Sequence, residues 1–405
     1  MVVADYRPPT TFDSNHSTIQ AQTSLAPTLQ YTQHQPLNIN HNFKPKQDDW
    51  RYRPGMPSPH PNTVAQYLTK PQLTGATGMI GFKTLVELLE NGYTVRAAVR
   101  NQAGFDRISS LPSLQKYKPP QLTSFIVPDI TVPGAYDEAV KGAKYIVHVA
   151  SPIPDNSGQD HETSLIRPAI QGTVGILESA LKTTGIKRVV ITASVASIAS
   201  SARMATGEVI NENTLDVETQ PPFADDLAAY AASKALAYQA TRDFVAAHKP
   251  PFDVINIMPV FVFGRDETVT EASSIAKGTN GILIGPLLGH AGGYPLRGAS
   301  VHVDDVARIH VLALDPKVPG NQDFLAAAAE AESVDSARSF EIVKRRYPGE
   351  YAEGVFKFDG GAEPPATGAR VDGTKATRVL GVQYKTFEEQ VVSVVDHFLE
   401  LTGRK

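Results

Sequence analysis

Tyr230-Ala-Ala-Ser-Lys234 sets a phenol and an ammonium four residues apart, a spacing that puts both on one face of a helix. A free tyrosine, with a pKa near 10, carries protons poorly at neutral pH. A neighbouring lysine cation favours the phenolate and is expected to bring that pKa down into a useful range. Of the fourteen tyrosines, Tyr230 alone has lysine at the fourth position beyond it. Ser194 closes the run Val189-Val190-Ile191-Thr192-Ala193-Ser194, where a hydroxyl can donate to a carbonyl oxygen as charge grows on it. Ser197 is a lesser rival, and a hydroxyl that only caps the strand end is the plain alternative. With a nicotinamide nearby, this set suits carbonyl reduction. Ser194 and Tyr230 would hold the substrate oxygen and Lys234 the nicotinamide ribose, while the hydride belongs to the cofactor.

The nicotinamide is suggested by Thr74-Gly75-Ala76-Thr77-Gly78-Met79-Ile80-Gly81. Gly75 permits a tight turn, Gly78 lets backbone approach a pyrophosphate, and Gly81 lets helix and sheet pack closely. The helix N-terminus then offers amide hydrogens to the anion. Glycine spacing alone is a weak signal, but here it opens an amphipathic helix and precedes a second strand. That strand ends at Arg100, where a NAD-binding chain would carry an acid for the ribose 2′-hydroxyl. A guanidinium pairs with a phosphate instead, so NADPH is favoured, with Arg96 expected on the same strand face. Asp129 is placed toward the adenine, and Val149-Ala150-Ser151 toward the middle of the cofactor.

These residues need a frame, and the pattern supplies one. Met79 to Glu90 reads as a helix closed by Asn91-Gly92. Thr94–Val99, Ser124–Val127, Tyr145–Ala150, Arg188–Thr192 and Asp253–Ile257 read as strands buried on both faces. Helices over 161–183 and 227–248 separate the later ones. The alternation predicts an α/β fold, a doubly wound parallel Rossmann sheet with ligands at the carboxyl ends of its strands. The dinucleotide domain is expected over 69–258, with a return segment at 299–315. Residues 259–405 would form mainly a smaller, irregular substrate lobe ending in a helix at Thr386–Thr402. One segment disagrees: Thr69-Lys70-Pro71-Gln72-Leu73 is a poor central strand, because proline removes a ladder donor. Either this strand is very short, or the N-terminal sequence is not the one such a fold carries, as in a misjoined gene.

Composition narrows the classes. Apolar residues are 41% and charged residues 20% of 405, with a net charge of −4, which suits a globular protein and no nucleic-acid partner. No run approaches a membrane span. Cysteine is absent, so disulfides, thiolate metal sites and a cysteine nucleophile are excluded. Residues 1–68 are rich in Thr, Ser, Gln, Asn, His and Pro and read as a disordered tail, its Trp50-Arg51-Tyr52-Arg53 patch most simply a solvated end. The N-terminus shows neither an apolar leader core nor the basic character of a transit peptide, so the cytosol is expected. His148 reads as a hydrogen-bonded core histidine. His302 begins Val301-His-Val-Asp-Asp305, whose Asp304 and Asp305 are expected to cap a helix near Val306 rather than bind metal. No metal site is expected.

The motifs together resemble the extended short-chain dehydrogenase/reductase family, within the NAD-dependent epimerase/dehydratase superfamily. The similarity is to the dihydroflavonol reductase-like branch that includes fungal aldehyde and ketone reductases. It rests on Thr74 to Gly81, Tyr93 to Arg100, Asp129-Ile130, His148 to Pro152, Ile191 to Ser194, Tyr230 to Lys234 and Val301 to Asp305. The resemblance implies Ser194, Tyr230 and Lys234 as catalytic residues and Arg100 as the selector of NADPH. It adds Thr77, Met79, Ile80, Ile130 and Thr192 to the cofactor site, and Pro259 and Val262, from Met258 to Gly264, beside the nicotinamide. Many relatives carry asparagine where this chain has Ala169, so any proton relay there must use water or another group. A NAD-dependent sugar-nucleotide epimerase or dehydratase and a non-enzymatic NADPH-binding regulator stay open. Arg100 argues against the first and the intact Ser–Tyr–Lys set against the second. A small carbonyl compound is the expected partner.

Overall fold

Seven strands, every neighbouring pair parallel, carry the chain: β1 (Gln72–Thr74), β2 (Val95–Val99), β3 (Leu122–Ile126), β4 (Tyr145–His148), β5 (Arg188–Thr192), β6 (Asp253–Pro259) and β7 (Gln322–Ala326). They lie in the order β7-β6-β5-β4-β1-β2-β3. Strand order thus reverses between β1 and β4, the point where open α/β sheets bind ligands. The computed structural model describes residues 70–153, 160–290, 296, 298–328, 334–358, 368 and 370–405. The expected tail, with Trp50 to Arg53, lies outside these residues.

β1 is short for the reason its sequence gives. Pro71 cannot donate to a ladder, yet its carbonyl accepts from Arg96 N at 3.2 Å, so pairing begins there. Gln72 is fully buried with Oε1 unpartnered, which costs about 1–3 kcal/mol. β7 carries no clear signal in the sequence. Its run Gln-Asp-Phe-Leu-Ala joins the sheet only because β6 offers it a full register.

Helix α1 (Met79–Glu90) buries Phe82, Leu85, Leu88 and Leu89 and ends where Gly92 takes φ +81°. Helix α2 (Gln102–Ser109) follows β2. A π-turn at Glu162–Ile166 leads directly into α3 (Arg167–Lys182), and α4 (Asp226–His248) is capped by the Asp225 side chain on Ala228 N at 2.8 Å. Further on come α5 (Asn280–Leu287), α6 (Val303–Leu312), α7 (Ser336–Arg346) and α8 (Phe387–Leu401). Helices α3 and α4 pack together, as do α1 and α6. Side-chain parity on β5 separates the two pairs: Thr192 bonds His310 of α6 at 2.7 Å, whereas Ile191 belongs to one apolar cluster with Ile176 and Leu177 of α3 and Phe244 of α4. Since successive strand residues point to opposite faces, these helices cover opposite faces.

Beyond the sheet, Phe263, Leu283, Leu287, Ile342, Val391 and Val395 form a second core. Two short parallel pairs complete the fold, Val209–Ile210 with Arg370–Val371 and Phe261–Phe263 with Ser300–His302. The expected caps at Asp304 and Asp305 are corrected here. Helix α6 starts at Val303, and His302 is the N-cap, accepting from Asp304 N on Nδ1 at 3.1 Å. Asp304 therefore lies inside the first turn, where it holds Lys83 at 3.0 Å and Lys385. Asp305 accepts from Lys385 N at 2.8 Å. Among the described residues, no helix is long and apolar enough to cross a membrane.

Candidate active site

The glycine loop leaves β1 at the switch point and enters α1. Gly75 has φ +75°, and a Cβ there would stand 2.6 Å from Ala150 N. A Cβ on Gly81 would stand 2.0 Å from the Gly75 carbonyl oxygen, so loop and helix touch through backbone alone. Gly78 differs: a Cβ there meets nothing nearer than 3.9 Å. The protein itself has no need of glycine at that position. No side chain caps α1 at Gly78, so the amides of Met79, Ile80 and Gly81 begin an uncapped N-terminus suited to an anion. A dinucleotide fits this cradle, since its open side lies where glycine is dispensable for the fold. Thr77, Val149, Ala150 and Ser151 rim the cradle, each partly buried. Thr74 Oγ1 accepts from Val149 N and Ala150 N, both at 3.1 Å, and so locks the end of β4 to β1.

At the end of β2, Arg100 is exposed and its charge adds to the forces holding the Asp129 carboxyl low. Those forces are led by hydrogen bonds from Thr131, whose N and Oγ1 donate to Asp129 Oδ1 at 2.8 and 2.7 Å. Arg96 is a correction. Its guanidinium donates to the Ala139 and Lys141 carbonyls at 2.7 and 2.9 Å, so it ties loop backbone and does not join Arg100. Ile130 packs its side chain where a Cβ on Gly172 of α3 would be, 2.9 Å from Cδ1. Thr192 spends its hydroxyl on His310. His310 Nδ1 faces the Val306 carbonyl at 2.7 Å, so Nε2 is the acceptor and Thr192 donates. Pro259 ends β6 in register with Ala326, and the Val262 carbonyl accepts from Thr279 Oγ1 at 2.6 Å.

Ser194 follows β5 by two residues and caps a short turn, its Oγ accepting from Ala196 N at 3.1 Å. That leaves its proton free to donate, and the hydroxyl lies near enough to the Tyr230 phenol to favour its ionised form. Lys234 lies one turn beyond Tyr230 on α4, its Nζ 5.9 Å from the centre of the phenol ring. The three residues are brought together. Ser197 is buried with its hydroxyl unpartnered.

The expected direction of the Tyr230 shift is reversed. Burial pushes the phenol above its ordinary value, and the Ser194 hydrogen bond pulls only partly back. Burial also brings Lys234 down to about 8. The ammonium stands over the ring, so desolvation outweighs the cation–phenolate attraction that spacing suggested. Lys234 shares a cavity with Ala150 and Ser151, just past the end of β4, and with His148 and Asn256.

Arg107 of α2 was not signalled by the sequence. It donates to the Thr77 carbonyl of the glycine loop at 3.1 Å and to the Thr268 carbonyl at 3.0 Å. A lone arginine on a short helix carries no pattern that could reveal this.

Known proteins resemble this chain in sequence and fold. Residues 72–327 match the NAD dependent epimerase/dehydratase family. The chain is 37% identical over 340 residues to ketoreductase CTB6 of Cercospora nicotianae, covering 81% of this chain and 94% of the relative. It is 37% identical over 342 residues to the NAD-dependent epimerase/dehydratase ALT6 of Alternaria alternata, covering 79% and 95%. Among solved structures, Gre2 of Candida albicans in complex with NADPH superposes with a TM-score of 0.72 at 27% identity, over 82% of this chain and 99% of that one.

Proposed function

The chain belongs to the NAD dependent epimerase/dehydratase family, and from that premise we propose that it reduces an aldehyde or ketone with NADPH, Tyr230 giving the proton. The observation that carries this reading is the clustering of Ser194, Tyr230 and Lys234, with the Lys234 Nζ 5.9 Å from the phenol ring centre and in one cavity with the end of β4. The names ketoreductase, for one relative, and NADPH complex, for one structural neighbour, support it.

Each residue's part follows from its hydrogen-bond roles. With its Oγ accepting from Ala196 N, Ser194 would donate to the Tyr230 oxygen, leaving the phenol proton free to point at a substrate carbonyl. A reductase needs that proton in place before charge forms on the substrate oxygen. The upward shift of Tyr230 by burial keeps it there at neutral pH. Bound in the cradle, NADPH supplies the hydride. Lys234, as an ammonium, would hold the nicotinamide ribose and stabilise the phenolate left after proton transfer. Because burial lowers Lys234 to about 8, the ammonium is lost as pH rises through that value. Accordingly kcat/KM should decline above about pH 8 in the pH–rate profile.

Arg100 is proposed as the 2′-phosphate ligand. The Arg100→Asp variant should weaken NADPH by roughly 10- to 100-fold in titration, as the loss of a charge-assisted hydrogen bond implies, and NADH far less. Equal losses for both cofactors would end the selectivity argument. This choice also separates a reductase from an epimerase that keeps NAD through its cycle. The glycine loop gives a second test. A Cβ at position 78 meets nothing nearer than the Gly75 carbonyl oxygen at 3.9 Å, so in Gly78→Val the melting temperature should stay within a few degrees while cofactor affinity collapses. A variant that binds NADPH normally would remove the pyrophosphate from this loop.

A further inference from the structure

In the register of the sheet, Thr74, His148, Ile191, Asn256 and Asp323 form one row across β1, β4, β5, β6 and β7. Four of these five are polar, an unusual load for a sheet buried on both faces. Thr74, His148 and Asn256 are 1%, 2% and 5% exposed, so every polar atom among them needs a partner.

The hydrogens can be assigned. Thr74 Oγ1 already accepts from two backbone amides, so at 2.9 Å it must donate to His148 Nδ1. Nδ1 is then an acceptor. Burial drives His148 down to about 3, with the nearby Lys234 cation acting in the same direction, so the ring is neutral and its proton sits on Nε2. That buried N–H has no partner. On the other side, Asn256 must turn its amide nitrogen to the Asp323 carboxylate at 2.7 Å, which leaves Oδ1 an acceptor, also buried and unpartnered. Tyr238, four residues beyond Lys234, fixes Asp323 from above at 2.6 Å.

His148, Asn256 and Lys234 all line one cavity of about 20 Å³, enough for a single water. Two strand spacings, roughly 10 Å, separate the backbones of His148 and Asn256, yet both residues line this one cavity. We propose that this cavity holds one structural water, which accepts from His148 Nε2–H and the Lys234 ammonium and donates to Asn256 Oδ1. His148 and Asn256 are thereby positioning residues for Lys234: they anchor the water that aims its ammonium and partly replaces its lost solvent.

The effect on turnover rests on the reductase reading; the water site does not, and two experiments keep them apart. First, ¹⁵N NMR of the full chain should show His148 as the neutral Nε2–H tautomer from pH 6 to 9. A crystal structure should place a water between His148, Asn256 and Lys234. The opposite tautomer, or no ordered water there, overturns the proposal. Second, His148→Leu removes the donor, whereas His148→Gln keeps an acceptor for Thr74 and a donor for the water. The leucine variant should lose roughly tenfold in kcat, the scale of a small misplacement, with little change in KM. The basic limb of its pH profile should move to lower pH, since Lys234 loses a solvating oxygen. His148, Tyr230, Tyr238 and, behind Asn256, Asp323 are the titratable groups around it. The glutamine variant should restore most of kcat. A folded leucine variant with the wild-type rate and profile overturns the positioning role. If the leucine variant does not fold, a glutamine variant as slow as the leucine variant was expected to be does the same. Absence of any carbonyl turnover in the wild type would defeat the reductase reading while leaving the tautomer and crystallographic results to stand alone.

Discussion

Tyr230→Phe should lower kcat/KM for carbonyl reduction by about 10²- to 10⁴-fold, the usual worth of a placed proton donor. That is about 3–5 kcal/mol of transition-state stabilisation. Phenylalanine keeps the ring in its place on α4 and removes only the hydroxyl, so the fold and NADPH binding should survive. Ser194 then loses its acceptor but keeps its bond from Ala196 N, and so remains poised at the same edge. The measurement is NADPH oxidation against a panel of aldehydes, diketones and cyclic ketones, with cofactor binding followed separately. Turnover within threefold of wild type would move the proton donor elsewhere. A variant that also ceased to bind cofactor would point to a structural role.

Lys234→Met should act in two opposite directions. Turnover is expected to fall by a factor of a hundred or more, because no cation then stabilises the phenolate or holds the ribose. Stability is expected to rise by about 1–3 kcal/mol at pH 7. The sign follows from burial. The folded pKa is about 8 and the ordinary value 10.5, so the folded state binds the proton less tightly than the unfolded chain. The resulting cost is fully present below about pH 8 and fades as pH rises toward 10.5. A shift of that size corresponds to about 3 kcal/mol, and methionine fills much the same volume without charge. Thermal melts at pH 7 and pH 10 test this: the gain should shrink at the higher pH. A variant less stable than wild type at pH 7 would show that the ammonium is well solvated after all, by the bridging water or otherwise. A variant that kept its activity would displace Lys234 from the chemistry.

Periodicity and turn chemistry made much of the frame legible. Met79–Glu90 and Arg188–Thr192 were predictable to the residue, because each is bounded by residues with one conformational use, glycines for the helix and β-branched runs for the strand. The glycine spacing and the Tyr-x-x-x-Lys pair are local, so their presence on one helix turn or one loop needs no distant partner. The seventh strand was not legible, since Gln322 to Ala326 becomes a strand only through its register with β6. Arg96 shows the same limit: period two puts it on the face of Arg100, but which carbonyls it meets depends on a loop more than forty residues away.

The sequence by itself determined which groups could do chemistry, for residue type fixes donors, acceptors and charges, and spacing fixes which of them share a helix turn. Protonation was decided only by the tertiary structure. Tyr230 and Lys234 are four residues apart in any conformation, but burial rather than proximity sets their pKa values, and burial belongs to the packed sheet. The polar row from Thr74 to Asp323 likewise exists only once five strands from across the chain come into register. Desolvation and long-range pairing are properties of the assembled volume, and no local pattern encodes them.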